Sequence, residues 1–118
     1  NYCNEVQRML SEKITITGMS HITGGGIPGN LVRILPANTQ AVIRKDSWFK
    51  PSIFSFLEGA AKIESAEMYR AFNMGVGYIC VLKEEDVDKT LCLLNSEQKE
   101  SAFFIGDITE GNKEVIIK

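Results

Sequence analysis

The sequence predicts an α/β (α+β) domain in which helices pack on a mixed β-sheet. Segments with apolar residues at helical spacing alternate along the 118 residues with short runs of β-branched or apolar residues. A chain that alternates in this way folds with helices covering a sheet. Apolar residues make up 44% of the composition and charged residues 24%, which is typical of a globular domain. We therefore expect a single domain over residues 1–118.

The first part of the chain predicts a helix, a strand, a second helix and a second strand. Apolar residues recur at helical spacing over residues 2–12, and the β-branched run at 14–16 favours a short strand. The glycines at 24–26 then interrupt regular structure. Pro28 favours a first helical turn. Backbone N–H groups have no helical partner there, so the N–H that proline lacks is not missed. Residues 41–43 predict the second strand.

Two further helices and the most apolar strand are predicted next. Pro51 suits the start of a helix whose inward face is formed by three apolar side chains, Ile53, Phe54 and Leu57. Ser65 is expected to cap the following helix, and Glu67 in its first turn complements the helix dipole. Residues 75–82 predict a strand that is apolar on both faces, which is typical of a central strand.

The last part of the chain predicts one more helix and two more strands. From Glu84 to residue 94 the apolar residues are spaced as one helical face, and the acidic residues at 84–86 favour the start of that helix. Residues 101–105 predict a strand, and a glycine-bounded turn leads to a last strand at 114–117.

Composition excludes several functional classes. Thirteen basic against fifteen acidic side chains give a net charge of −2 without a basic stripe, so nucleic-acid binding has little support. No apolar run approaches the ~20 residues that cross a bilayer, and we expect no membrane association. The three cysteines, Cys3, Cys80 and Cys92, lack CxxC spacing and are interpreted as reduced, core-type thiols of a cytosolic protein. No residue set predicts a metal site or a nucleophilic triad.

The glycine triplet at 24–26 is the sharpest chemical feature. Consecutive glycines between a strand and a helix let the backbone approach a ligand and leave amide N–H groups where an anion is favoured. The triplet therefore predicts a phosphate or carboxylate cradle from Thr23 to Gly26. The alternative is a tight connection that needs positive φ angles. The segment matches neither a Walker A loop nor a GxGxxG motif.

Side chains near the triplet are candidates for the same site. His21, the one histidine of the chain, could act as an acid, a base or a neutral donor, or it could brace the loop. Arg33 could pair with a phosphate and Asn30 could donate an amide hydrogen. The alternatives are a surface arginine and a helix-capping asparagine.

Two other motifs are interpreted as packing. Three aromatic residues, Trp48, Phe49 and Phe54, are expected in the core rather than in a base-stacking platform. The segment FNMGVG at 72–77 carries two glycines at a helix-to-strand junction, where close packing against a neighbouring backbone explains them.

Several motifs occur in the order in which the aminoimidazole ribonucleotide synthetase family has them. They are GMSHITGGGIPGN at 18–30, AVI at 41–43 before Trp48, PSIF at 51–54, EMYRAFNMGVG at 67–77 and IG at 105–106. The chain therefore resembles the C-terminal domain of that family over essentially all of its 118 residues. Ser20, where the family often has alanine, is a minor departure.

The resemblance implies that this chain is part of an enzyme of purine biosynthesis, one that closes an imidazole ring on formylglycinamidine ribonucleotide. In that family ATP phosphorylates the formyl oxygen, the amidine nitrogen attacks, and phosphate leaves. The resemblance implies a cytoplasmic homodimer whose N-terminal domain, absent from this chain, holds most of the ATP and Mg²⁺. The chain would then be the substrate-side domain without its opening segment, bind neither ATP nor Mg²⁺, and be inactive alone.

The resemblance also implies roles for the residues around the triplet. His21 would be catalytic, and the substrate-binding residues would be Thr23, Gly24, Gly25, Gly26, Asn30 and Arg33. Two alternatives stay open. The chain could belong to another ATP-using enzyme of the thiamine-monophosphate kinase or selenophosphate synthetase type, or it could be a non-catalytic anion-binding module.

Overall fold

A computed structural model describes residues 2–95 and 102–118. The helices are α1 (Cys3–Ser11), α2 (Gly26–Leu31), α3 (Ser52–Ala61), α4 (Ser65–Ala71) and α5 (Val87–Leu94). The strands are β1 (Ile16–His21), β2 (Thr39–Ile43), β3 (Tyr78–Leu82), β4 (Gly106–Glu110) and β5 (Glu114–Ile117). Single 3₁₀ turns follow α2 at Val32–Ile34 and precede α5 at Glu84–Asp86. The predicted α+β class is confirmed.

The chain divides into two compact units, each built from separated segments. One comprises Asn1–Met19 and Cys80–Phe104, and the other comprises Ser20–Ile79 and Ile105–Lys118. The expectation of one domain over residues 1–118 stays a prediction. The candidate site lies wholly in the second unit.

Side-chain-to-backbone hydrogen bonds join the two helices of the first unit, α1 and α5. Arg8 Nη2 donates to the carbonyl oxygen of Leu93 at 2.8 Å, and Lys89 Nζ donates to that of Glu12 at 2.8 Å. Met9 is buried in α1 with 1% of its surface exposed. The predicted amphipathic helix at 2–12 is confirmed.

A three-stranded mixed sheet forms one side of the second unit. β2 lies in the middle, antiparallel to β4 and parallel to β5, with Ala41 opposite both Ile108 and Val115. The chain from β4 to β5 passes around the start of β2, where Lys113 N donates to the carbonyl oxygen of Thr39. The strand predicted at 114–117 and the mixed sheet are confirmed.

The core of the second unit brings α2 and α4 together with the sheet. Its buried members are Ile22, Ile27, Leu31, Leu35, Ala41, Ile43, Trp48, Met68, Tyr69, Met74 and Ile79. Burial of apolar side chains on this scale is the main favourable term in folding. α2 is held in place because Ile27 and Leu31 on its inner face are fully buried.

The first strand begins later than predicted. Residues 14 and 15 precede β1, because α1 ends in a Schellman motif: Lys13 has φ +60°, Lys13 N donates to Leu10 O, and Ile14 N donates to Met9 O. The apolar partner of that motif is Ile14, which is 2% exposed. A β-branched residue at 14 therefore completes the helix end instead of starting a strand.

The strand predicted at 101–105 is also displaced. β4 starts at Gly106, and residue 101 lies outside the described residues. Asn95 explains part of the shift, because its side chain donates to Ala102 O and accepts from Ala102 N. The backbone groups of Ala102 are therefore engaged locally and do not join a ladder.

Three expectations about individual side chains are wrong. Ile53 is 52% exposed, because adjacent helical residues point about 100° apart and Phe54 takes the inward position. Ser65 is the first residue of α4 rather than its cap, which is Glu64. Phe49 is 83% exposed, whereas Trp48 is buried as predicted.

The central-strand and cysteine expectations also need correction. Within the described residues β3 pairs with β1 in a two-stranded sheet, and it begins at Tyr78 rather than at residue 75. None of the three described cysteines is in a disulfide, but Cys3 and Cys92 are exposed and only Cys80 is half-buried. The expectation of core-type thiols is therefore wrong for Cys3 and Cys92, and their reduced state stays a prediction.

Candidate functional site

The glycine triplet forms most of a short loop between β1 and α2. We call residues 23–26 the glycine loop. Gly25 has φ +96° and Gly26 has φ +65°, a region that favours glycine because other residues clash there. The alternative interpretation of the triplet, a connection that needs positive φ, is therefore correct for two of the three glycines. Gly24 does not share it.

The three glycines differ in their surroundings. A Cβ at Gly26 would overlap the carbonyl oxygen of Tyr69 and lie 2.7 Å from that of Phe72, so Gly26 is packed against the end of α4. Among the described residues, a Cβ at Gly24 would meet nothing within 4 Å, and one at Gly25 would meet only Gly29 Cα at 3.6 Å. The first two glycines thus face open space, and the third is a packing residue.

The N–H groups of the three glycines also differ, with that of Gly26 bonded within the loop and those of Gly24 and Gly25 not. Gly26 N donates to the carbonyl oxygen of Thr23 at 3.0 Å, so this N–H is not available to a ligand. Gly24 and Gly25 are exposed, and among residues 2–95 and 102–118 the structure places no acceptor for their N–H groups. Since α2 has only six residues, these amides rather than a helix dipole are what the loop offers an anion.

Asn30 lies beneath the loop, with 4% of its surface exposed. Its Nδ2 lies 3.2 Å from the carbonyl oxygens of Thr23 and Gly24 and 2.8 Å from that of Gly26, and since the amide carries two hydrogens, at least one is shared between two of these acceptors. Its Oδ1 accepts from Thr23 Oγ1 at 3.2 Å. The structure thus brings Asn30 to the loop, as the sequence analysis expected, but the polar atoms of its side chain bind protein.

His21 lies at the edge of the loop. It is the exposed last residue of β1, and its ring centroid is 6.1 Å from that of Tyr78. Ile22 is buried between His21 and Thr23, which are both exposed. This alternation places the side chains of His21 and Thr23 on the same side of the chain.

Arg33 is less closely connected. It is exposed in the 3₁₀ turn after α2, and the described part of the chain gives it no ion pair and no hydrogen bond to the glycine loop. The structure therefore joins Thr23, the three glycines and Asn30 into one assembly, with His21 beside it. For His21 and Arg33, functional roles stay predictions.

Two pKa values are shifted near the core. Burial raises the pKa of the Tyr69 phenol, and the carboxylates of Asp46 and Glu58 raise it further. Burial also raises the pKa of the Cys80 thiol. Both groups stay protonated at neutral pH, so neither supplies a base or a nucleophile to the loop.

In the ranges that the structure covers, no three histidine, cysteine, aspartate or glutamate side chains lie together as metal ligands would. No described helix has the length and apolar character needed to span a bilayer.

The second glycine motif forms a packed turn. Gly75 has φ +91°, its N–H donates to Asn73 Oδ1 at 2.9 Å, and a Cβ there would lie 2.7 Å from Pro51 Cδ. Met74 has φ +55°, and its carbonyl oxygen accepts from Trp48 Nε1 at 3.0 Å. The packing interpretation of this segment is supported at Gly75.

Sequence reasoning missed how Asn30 is used. It predicted a donor to substrate or a helix cap, whereas the amide is directed to the loop carbonyls. One feature of the sequence could have indicated this role. Asn30 follows Gly26 by four residues, which is about one helical turn, so its side chain can reach the loop backbone.

Comparison with known proteins gives consistent matches. The chain is 47% identical over 107 residues to the phosphoribosylformylglycinamidine cyclo-ligase of Thermodesulfovibrio yellowstonii, covering 91% of this chain and 31% of the relative. It is 47% identical over 116 residues to the enzyme of the same name from Pseudothermotoga lettingae, covering 98% and 34%. For that of Syntrophotalea carbinolica the identity is 48% over 113 residues, covering 96% and 32%.

The chain thus spans about a third of the length of these relatives. The family described as AIR synthase related protein, C-terminal domain, matches residues 2–118, which is nearly the whole chain. The chain belongs to this family of AIR synthase related C-terminal domains.

Proposed function

We propose that this chain is the substrate-side domain of a phosphoribosylformylglycinamidine cyclo-ligase, the ATP-dependent ligase that forms aminoimidazole ribonucleotide in purine biosynthesis. The observation that carries the proposal is 47–48% identity to three relatives of that name over 91–98% of this chain. The remaining two thirds of such a protein would hold ATP and Mg²⁺, and the protein would act as a cytoplasmic homodimer.

The glycine loop is the proposed contact with the substrate. Gly24 and Gly25 are exposed and offer two adjacent N–H groups, and hydrogen bonds to a charged acceptor are stronger than those to a neutral one. The ribonucleotide phosphate is the proposed acceptor, since a glycine at these positions allows it to approach the backbone closely. Arg33 would add charge to the same anion.

His21 is the proposed polar side chain at the reacting end of the substrate. It is exposed on the side of the chain that Thr23 shares, so an imidazole there can reach a ligand that the loop holds. Its proposed role is to donate a proton or hydrogen bond to the formyl oxygen, or to accept a proton as the ring closes.

We assign ATP and Mg²⁺ to the rest of the protein, since this chain spans only about a third of the length of its relatives. The chain's own residues bind and orient the ribonucleotide.

A domain exchange tests the proposal. In a hybrid enzyme, this chain replaces the matching segment of the Thermodesulfovibrio yellowstonii cyclo-ligase, and ring closure of formylglycinamidine ribonucleotide with ATP is measured. We expect turnover by the hybrid and none by the 118-residue chain alone. A folded hybrid without turnover contradicts the proposal, and phosphate binding without turnover would favour a non-catalytic anion-binding module. Ring closure by the isolated chain would contradict its expected inactivity.

The role of His21 has its own test. In the hybrid, His21→Asn keeps a polar donor but removes the imidazole that is proposed to exchange a proton with the substrate, so we expect turnover to fall by about a hundredfold and its pH profile to change. Unchanged turnover with an unchanged pH profile would remove His21 from acid–base chemistry while leaving the loop proposal intact.

A further inference from the structure

We infer that Asn30 is a positioning residue. Its buried side-chain amide binds the carbonyl oxygens of the Thr23–Gly24 and Gly24–Gly25 peptide groups and so orients the N–H groups of Gly24 and Gly25 toward the ligand. The inference rests on the proposed function, because the ligand is the anionic group of that ribonucleotide. Asn30 itself does not contact the substrate in this account.

The direction of the amides follows from peptide geometry. In a planar trans peptide the carbonyl of one residue and the N–H of the next point in opposite directions, and the structure describes no cis peptide bond. Asn30 Nδ2 holds the carbonyl oxygen of Thr23, so the N–H of Gly24 is directed away from Asn30. It also holds the carbonyl oxygen of Gly24, so the N–H of Gly25 is directed away as well.

The burial of Asn30 and the exposure of the loop show that these N–H groups are directed toward solvent. Asn30 is 4% exposed, whereas Gly24 and Gly25 lie on the surface. Amides that point away from a buried side chain on an exposed loop point toward solvent, where a ligand can reach them. The open space beside Gly24, with no atom within 4 Å of a Cβ there, lets the ligand come close.

The orientation of the Asn30 amide is itself fixed. Thr23 Oγ1 donates to Oδ1 at 3.2 Å, which directs Nδ2 toward the loop carbonyls. The shortest Nδ2 contact is to Gly26 O at 2.8 Å, and the two hydrogens of the amide are shared among the three carbonyl oxygens. Aspartate could not replace it, because a carboxylate oxygen would face three carbonyl oxygens without a hydrogen to donate. Glycine backbones are the most flexible, so a loop of three gains most from such a brace.

Two substitutions in the hybrid enzyme test this role. Asn30→Asp keeps the shape and removes the donor, and we expect the KM for the ribonucleotide to rise by about tenfold with the KM for ATP unchanged. Thr23→Val removes only the hydroxyl that orients the amide, and we expect a smaller rise in the same constant. Asn112→Asp makes the same change of charge on an exposed turn residue and serves as the unchanged control.

The ligand-free chain provides a second measurement. In the 118-residue chain, the side-chain amide protons of Asn30 should exchange slowly with solvent, and Thr23→Val should accelerate that exchange. If Asn30→Asp does not fold, Thr23→Val and this exchange decide the question.

Each outcome bears on one claim. An active hybrid in which Asn30→Asp leaves the ribonucleotide KM unchanged, or raises both KM values equally, overturns the positioning role and leaves the proposed function in place. Rapid exchange of the Asn30 amide in the unsubstituted chain overturns it too. An inactive unsubstituted hybrid counts against the proposed function instead.

Discussion

The glycine loop at 23–26 and the turn at 73–75 are built from similar residues and use them in opposite ways. Each contains glycine at positive φ and is bonded to an asparagine side chain, which is Asn73 within the turn and Asn30 of α2 for the loop. In the turn, Asn73 Oδ1 accepts from Gly75 N and so consumes a backbone donor. In the loop, Asn30 Nδ2 donates to carbonyl oxygens and so leaves backbone donors free.

The steric surroundings differ in parallel. A Cβ at Gly75 would lie 2.7 Å from Pro51 Cδ, and the carbonyl of Met74 is held by the Trp48 indole. A Cβ at Gly24 would have no described residue's atom within 4 Å. A glycine-rich motif can therefore serve either packing or access, and the direction in which the neighbouring asparagine bonds distinguishes the two.

The largest expected effect concerns the packed end of the loop. Gly26→Ala combines φ +65° with overlap of the Tyr69 carbonyl oxygen, and backbone atoms cannot move aside cheaply. We expect the free energy of unfolding to fall by about 3 kcal/mol. Urea denaturation measures it, and a loss below about 1 kcal/mol would show that α2 and α4 are not packed as described.

The turn should be less sensitive. Gly75→Ala places a Cβ against Pro51 Cδ at φ +91°, but the obstacle is a side-chain ring that can shift. We expect a loss of about 2 kcal/mol in the same denaturation, with ribonucleotide binding by the hybrid unchanged. Weakened binding in the folded variant would contradict the assignment of this turn to packing.

Gly25 lies between these cases. Gly25→Val forces a β-branched residue to φ +96° in otherwise open space, so we expect about 1.5 kcal/mol of destabilisation. The branched side chain also screens the adjacent amides, and the ribonucleotide KM of the hybrid should rise. Wild-type affinity in this variant would remove the idea of a cradle.

Gly24→Ala has the smallest expected effect on stability, so it best separates the role of Gly24 in ligand access from a role in packing. Gly24→Ala should change the unfolding free energy by only about 0.5 kcal/mol, because the Cβ meets nothing and φ is not positive. It should nevertheless raise the ribonucleotide KM of the hybrid. Gly59→Ala, an equally open exposed glycine in α3, is the matched control and should leave that KM unchanged.

Several features of the fold were predictable because they depend on local pattern. The helix at Cys3–Ser11, the strand at Glu114–Ile117 and the loop at 24–26 follow from apolar spacing and glycine. The late start of β1 was not predictable, because nothing in the sequence marks Lys13 for a left-handed conformation. Ile53 and Phe54 are both apolar, so tertiary packing alone selects which of them is buried.

The candidate site was predictable in position and not in mechanism. The glycine triplet located the loop, and its spacing brought Asn30 into consideration. Which polar atoms are consumed internally depends on the direction of each hydrogen bond, and a sequence does not contain that information. The structure bonds Gly26 N to the carbonyl oxygen of Thr23, and among the described residues it gives the amides of Gly24 and Gly25 no acceptor.

The central claim is that these two amides bind an anionic group of the substrate, and an NMR titration tests it most directly. The ¹⁵N-labelled 118-residue chain is titrated with ribose 5-phosphate, and ribose serves as the uncharged control. We predict saturable shifts that are largest at the amide signals of Gly24 and Gly25, and none with ribose. Unchanged signals for both glycines at saturating ribose 5-phosphate would contradict the account.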